Sequence, residues 1–367
     1  MIKLLSSPLV SLALLFLPAV TAILCANGFA DWIYEPVNTL ISPLLSSISE
    51  LPSFPAALLR GDYGLVAMFP FLIIYALPTI IAFSIVLTVY RSTRLIDHIS
   101  TGLHPWLRFF GIGAKDLVRV VMGFGCNVPA VVESRSCHSC SRGACVSAIS
   151  FGAACSYQLP ATLAVFAAAG ISYMGVVYLI LLGITTLIYL RFTTPEFMRK
   201  ANAQMTLAEP SALRRPSWRH IREDLLDNLK QFVVLSIPVF IVICFAAGFL
   251  NWLGILVKFG ALLAPLMALF NLPGDAAMAV VLGSVRKDGI AVGLLNADGT
   301  GMKIALESPV QVLTAVYLAG VLLPCIVTLF TIAREMRWRF ALRLCARQMA
   351  WAAGFSILIA WVGPVFF

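Results

Sequence analysis

The sequence predicts an all-α polytopic membrane protein with about seven to eight crossing helices and two re-entrant, broken-helix gate regions arranged as an inverted repeat. Three observations lead there. Hydrophobic residues make up 60% of the 367-residue chain and charged residues 12%, with a mean hydropathy of +0.94, whereas soluble domains run near a quarter charged. The net charge of +9 is carried in clusters, Arg91–Arg119, Arg191–Lys230 and Arg334–Arg347, each lying between apolar runs. Such clusters mark cytoplasmic loops, so the charge is not read as nucleic-acid binding. Finally, helix breakers and polar residues recur inside apolar stretches, and non-helical backbone at membrane depth is tolerated only where protein buries it or it lines a watered cavity.

The elements divide into four parts. Residues 1–64 hold an apolar run, Leu4–Leu24, behind Lys3, long enough for an uncleaved signal anchor. An acidic stretch, Asn27–Gly64, follows; it is interrupted by Pro36, Pro43, Pro52 and Pro55 and is expected outside the cytoplasm. Residues 65–190 form the first gate half. Leu65–Tyr90 crosses inward to Arg91 and Arg94. Leu117–Arg142 starts and ends at basic residues, with Gly123-Phe124-Gly125-Cys126-Asn127-Val128-Pro129 between them, which predicts half-helices entering from the cytoplasm and returning there. Ala144–Ala169 and Tyr173–Leu190 make a hairpin that turns at Gly170 and carries a second break, Cys155-Ser156-Tyr157-Gln158-Leu159-Pro160.

Residues 191–230 are a linker with eight Lys/Arg against five Asp/Glu, ending in an amphipathic helix, Trp218–Lys230, expected on the inner surface. Residues 231–367 form the second gate half. Gln231–Val257 crosses outward, and Phe259–Leu272 stops at Asn271-Leu272-Pro273-Gly274. Ala276–Leu295 is interrupted by Arg286-Lys287-Asp288. Val310–Ile332 crosses inward through Pro324-Cys325, and Met349–Val365 is the last span.

The breaks supply the chemistry. An ion entering a low-dielectric path exchanges water for protein ligands, and a mixed thiolate and carboxamide set suits Fe²⁺, Zn²⁺ or Cu(I) better than Mg²⁺ or Ca²⁺. Cys126, Asn127, Cys155 and Ser156 are the candidate metal ligands, with Cys325 as a further one. Gly125, Pro129, Leu159, Pro160, Arg286, Lys287, Asp288 and Pro324 are the candidate gate residues. A transport site must also be incomplete enough to release its ion. Ionisable residues inside an apolar run, such as Arg286, Lys287 and Asp288, are functional candidates by default. The run Cys137-His138-Ser139-Cys140 is read as an exposed turn between half-helices; thiol chemistry, or handing metal to Cys126, is its other reading. Nine cysteines without regular spacing do not form a disulfide framework.

Gly125-Cys126-Asn127-Val128-Pro129-Ala130 followed by Glu133-Ser134-Arg135, and then Cys155-Ser156 with Leu159-Pro160, resembles the membrane part of the ferrous iron transport protein B family. So do Arg94-Leu95-Ile96-Asp97 through Gly102-Leu103-His104, the run Gly283–Gly289 with Gly293-Leu294, and Pro324-Cys325 with Arg334-Glu335. The resemblance covers roughly residues 60–345. It implies a permease of a bacterial cytoplasmic (inner) membrane that carries a divalent metal ion, Fe²⁺ as the transported substrate, with no permanently bound cofactor. It also implies a separate GTPase or small cytoplasmic subunit as partner, and a homo-oligomer as an open arrangement. The family's GTPase domain has a phosphate loop, and no Gly-x-x-x-x-Gly-Lys-Ser/Thr run occurs in this sequence, so the chain is not expected to be an enzyme. A non-transporting metal- or thiol-sensing subunit, and a transporter of nucleosides or small solutes, remain alternative readings.

Overall fold

The computed structural model describes residues 7–49, 52–59, 65–66, 73–74, 77–137, 141–155, 158–196, 199, 213–231, 233–234, 237–295 and 301–366. These residues form helices and connecting turns, with a single isolated antiparallel bridge between Leu295 and Met302. Two compact units emerge. The first is drawn from residues 1–33, 73–156 and 186–237, the second from 34–72, 157–185 and 238–367.

The chain begins with α1 (Pro8–Ser49) and α2 (Ser53–Leu59). The anchor expected at Leu4–Leu24 falls largely on α1. This helix continues through Pro36 and Pro43, where the sequence suggested an interrupted loop. In the first unit α3 (Leu77–Ser92) and α4 (Leu95–Leu107) meet at a turn in which Arg94 takes a left-handed conformation (φ 60). A turn Arg108–Phe110 leads to Gly111 (φ 80). Gly111 has two requirements at once: its backbone is left-handed, and an added Cβ would lie 2.8 Å from Thr194 Cγ2.

Next come α5 (Ala114–Met122), α6 (Asn127–Glu133), α7 (Arg142–Gly152), α8 (Gln158–Ala168) and α9 (Met174–Thr193). Hydrogen bonds tie the turn after α6 back to α5. Arg119 Nε donates to Ser136 Oγ at 3.0 Å, and Arg91 at the end of α3 pairs with Glu133 at the end of α6 at 2.6 Å. The amphipathic helix predicted in the linker is α10 (Trp218–Gln231), and it packs on α3.

The plan then repeats. A 16-residue helix, a two-residue turn with a left-handed residue, a 13-residue helix and a 3-residue turn ending in a left-handed residue recur as α11 (Ile237–Trp252), Gly254 (φ 68), α12 (Ile255–Met267), Ala268–Phe270 and Asn271 (φ 53). Pro105 inside α4 has its counterpart in Pro265 inside α12. The repeat continues through α13 (Ala276–Val285), α14 (Gly289–Leu294), α15 (Pro309–Val321), α16 (Ile326–Met336) and α17 (Trp338–Val362). Packing repeats as well: α4 lies on α5 and α5 on α7, just as α12 lies on α13 and α13 on α15. At the start of α15, Ser308 Oγ accepts from the Gln311 N–H while Gln311 Oε1 accepts from the Glu307 N–H, a reciprocal cap that fixes where the helix begins.

Among the described residues three helical stretches are long and apolar enough to cross a membrane: Met174–Thr193, Pro309–Met336 and Trp338–Val365. A fourth is added if the pair Cys244–Trp252 and Ile255–Phe270, bent by 77°, counts as one span. This is fewer than the expected crossings, because the breaks divide apolar sequence into short pieces such as Gln158–Ala168 and Ala276–Val285. Val310–Ile332, expected to cross through Pro324-Cys325, lies within the stretch Pro309–Met336, and its helix is interrupted at Leu322–Cys325. Along α9, Tyr178, Leu182 and Tyr189 are buried while Val176, Ile180 and Ile184 are exposed at helical spacing, an apolar outer stripe suited to lipid.

Positive-inside bias places the linker and the basic ends in the cytoplasm. Cysteines introduced at the exposed positions Arg215 and Glu307 test this with an impermeant thiol reagent on intact cells. Glu307→Cys should label from outside above the wild-type background and Arg215→Cys only after lysis; the reverse pattern would invert the orientation.

Candidate metal path at the helix breaks

In the first unit the chain leaves α5 through a tightening turn. Gly123 N–H bonds to Val120 O at 2.9 Å, Phe124 to Val121 O at 3.1 Å and Gly125 to Met122 O at 2.9 Å. Cys126 is then extended (φ −152, ψ 132) and stands just ahead of α6, with no side-chain cap from its sulfur. Pro129 falls in the first turn of α6, where an N–H would have no helical acceptor, so its ring costs the helix nothing. Asn127 is 3% exposed, and its Oδ1 is buried without a hydrogen-bond partner. A buried carboxamide oxygen in that state carries a desolvation cost that a cation would relieve.

The second break follows α7. Ala153 is extended, its N–H still reaching Ile149 O at 3.3 Å, and Cys155 is buried. The two breaks touch. A Cβ on Gly123 would lie 2.6 Å from Ala153 Cβ and 3.0 Å from Asn127 Oδ1, so only glycine permits this approach. Gly125, Cys126, Asn127 and Pro129 thus share one packed region with the segment leading to Cys155. Ser156 lies outside the described residues.

Leu159 and Pro160 sit in the first turn of α8, in the second unit, Leu159 buried and Pro160 half-buried. Asn127-Val128-Pro129 and Gln158-Leu159-Pro160 open their helices with the same pattern: carboxamide, apolar residue, proline. That shared register was the signal for Gln158, which sequence reasoning passed over as a candidate. Gln158 is 3% exposed, donates through Nε2 to the Tyr178 hydroxyl at 2.7 Å, and lies so near Gly320 that an added Cβ there would be 2.6 Å from Nε2. Tyr317, in contact with the Tyr178 ring, donates to Thr185 Oγ1 at 2.8 Å.

The remaining candidates form the second unit's own pair of breaks. Arg286 and Asp288 make a two-bonded ion pair at 3.1 and 2.7 Å. Lys287, 4% exposed, donates to Gly320 O at 2.6 Å and also to Leu323 O. Gln348 Nε2 donates to Val321 O at 2.7 Å. The carbonyls freed at the end of α15 are thus met by an ammonium and a carboxamide, and the cation also opposes the negative end of the helix dipole. Pro324 is buried. The Cys325 thiol lies 3.0 Å from Thr328 Oγ1, engaged within its own helix start. Two hollows of about 320 and 340 Å³ in the second unit are lined by residues including Asn271, Glu307 and Gln311, and Asp275, Met278 and Lys303. Among the described residues, neither is lined by a break cysteine or an aromatic residue.

The family described as "Gate: Nucleoside recognition" matches residues 73–172 and 233–339, the two stretches over which the helical plan repeats. Among curated proteins, the chain is 26% identical over 290 residues to the Fe(2+) transporter FeoB of Methanocaldococcus jannaschii, covering 70% of this chain and 43% of that protein. It is 27% identical over 241 residues to the Fe(2+) transporter FeoB of Legionella pneumophila strain Philadelphia 1, covering 60% and 32% respectively. The chain therefore spans less than half the length of these relatives. No solved structure matches it.

Replacing Lys287 by methionine keeps the side chain's length and strands two buried carbonyls at a cost of about 1–3 kcal/mol each. The midpoint of thermal unfolding in detergent should fall by several degrees, with Lys287→Arg in between. An unchanged midpoint would show that the ammonium is not what completes the α15 terminus.

Proposed function

We propose that this chain, which belongs to the nucleoside-recognition Gate family, is a membrane permease for a divalent metal ion, with ferrous iron as its substrate. The observation that carries the reading is the contact between the two breaks of the first unit, Gly123 against Ala153, where Cys126, Cys155 and the unpartnered oxygen of Asn127 come from one packed region. Thiolates and a carboxamide oxygen make a soft–hard set suited to Fe²⁺. Freed carbonyls of the broken helices would complete a labile shell, with Ser156 as a further donor. The relatives named as Fe(2+) transporters support the choice of ion.

The family's description also points to nucleosides. A base would call for an aromatic wall, and the described residues lining these two hollows include none; the relatives named as Fe(2+) transporters favour the metal reading. A metal-sensing subunit would use the same oxygen, and the same relatives favour transport over sensing.

The second unit plays a different part. Its Arg286–Asp288 break supplies Lys287, a tethered cation, where the first unit has Cys126 and Asn127. On this reading Arg286, Lys287, Asp288 and Pro324 hold the gate geometry and the ion is handled by the first unit. The driving force need not be nucleotide. A dication gains about 4.6 kcal/mol per 100 mV of inside-negative potential, roughly a thousandfold gradient. A separate GTPase or small cytoplasmic subunit would regulate such a path rather than power it.

In proteoliposomes containing only this chain, an inside-negative potassium diffusion potential should accelerate Fe²⁺ entry. Cys126→Ser and Cys155→Ser should each lower that entry at least tenfold, while Cys25→Ser, exposed on α1, should not. Full uptake by the double variant would remove the ligand assignment. Entry that stays at background until a GTPase is added would make the partner the source of energy.

A further inference from the structure

The turn after α6 does something the sequence did not disclose. Cys137, expected on an exposed turn, is 9% exposed and packs against Cys145 in the first turn of α7, fully buried, and Asp116 in the first turn of α5, 5% exposed. A sulfur from each cysteine and a carboxylate oxygen of Asp116 all lie within 4.8 Å of one another. Cys145 Sγ also lies 3.8 Å from the Asp116 carbonyl oxygen.

We propose that Asp116, Cys137 and Cys145 form a second metal site, separate from the helix-break thiols, that takes a thiophilic divalent cation of the zinc type. Two sulfurs and one carboxylate oxygen are three of the four ligands of a tetrahedral site, and the fourth position is left for water. Ligand atoms around such an ion stand roughly 3.3–3.8 Å apart, so the cluster has to contract by only about 1 Å.

Charge balance favours the same ion. With both thiols protonated, Asp116 is neutralised by Arg119, whose Nη1 is 3.0 Å from Oδ1. When the cation binds, two metal–sulfur bonds form, two S–H bonds break and two protons leave to solvent. The total charge of the buried cluster is therefore unchanged, which avoids the penalty of adding net charge to a low-dielectric interior. Arg119 is in turn held by Ser136, through Nε to Oγ at 3.0 Å, so the residue before Cys137 is positioned by the same guanidinium that positions Asp116. The site would tie together the beginnings of α5 and α7 and the end of the α6 turn. Along α7 it lies about ten residues, roughly 15 Å, from Cys155. It does not depend on the permease reading.

The test uses the purified full chain in detergent, reduced, with Zn²⁺ measured against a chromophoric chelator. In the Cys126→Ser/Cys155→Ser background one tightly held zinc per chain is expected to remain. It should be lost on adding Cys137→Ser or Cys145→Ser, and should weaken at least tenfold with Asp116→Asn. Cys137→Ala, in place of serine, repeats the loss without burying a new hydroxyl, and circular dichroism must match the parent. Co²⁺ should give sulfur-to-metal charge-transfer absorption that disappears with the same substitutions. Zinc retained after removal of both Cys137 and Cys145, or lost with the break cysteines alone, would overturn the proposal. So would the absence of bound zinc in a preparation whose Cys137 and Cys145 are shown by thiol titration to be reduced.

Discussion

A helix that stops inside a membrane leaves carbonyls and N–H groups with no water to receive them, and the rest of this structure is organised around meeting that demand. At the end of α15 the demand is met outright. Lys287 reaches two carbonyls and Gln348 a third, so an ammonium and a carboxamide do the work that lipid cannot. Arg286 and Asp288 bond to each other beside it, which keeps the local charge of the break close to that of Lys287 alone. At the corresponding place in the first unit there is no lysine; a thiol, a glycine turn and a carboxamide with an idle oxygen stand there instead. One half of the repeat meets its break with its own cation; the other leaves a buried carboxamide oxygen without a hydrogen-bond partner.

Glycine makes these arrangements geometrically available. Gly123 brings the first break against the second, and Gly320 lets Gln158 and Lys287 converge on one turn of α15. In both places a methyl group would fall within 2.6 Å of a neighbouring atom, closer than packed atoms tolerate. These contacts account for small residues at positions where helix propensity alone would favour alanine. Around them the polar chain from Gln158 to Tyr178, and the bond from Tyr317 to Thr185, add buried hydrogen bonds that fix side-chain positions in a region otherwise held by apolar packing.

The cysteines separate into groups with different surroundings. Cys126 and Cys155 stand at backbone breaks. Cys325 is turned to the threonine of its own helix start. Cys137 and Cys145 are drawn together with Asp116 at the far end of the same helices from the breaks. The same residue type thus stands at a backbone break, beside a threonine at a helix start or in a buried cluster according to what the fold places around it, and composition does not show which is which.

The sequence by itself determined the membrane class, the basic ends, the places where helices break and the duplication of the plan. These depend on local properties: hydropathy, proline's missing N–H, glycine's freedom and the charge of flanking residues. Asn127-Val128-Pro129 announces a helix start whatever surrounds it, and the break between α5 and α6 was legible in Gly123, Gly125 and Pro129. Tertiary structure alone decided which breaks meet, that Lys287 spans to α15, that Gln158 belongs among the buried polar groups, and that Cys137 lies inside beside Cys145 and Asp116. Each of these joins residues far apart along the chain through helix packing, and packing is set by the shapes of whole faces. No spacing in the sequence encodes it.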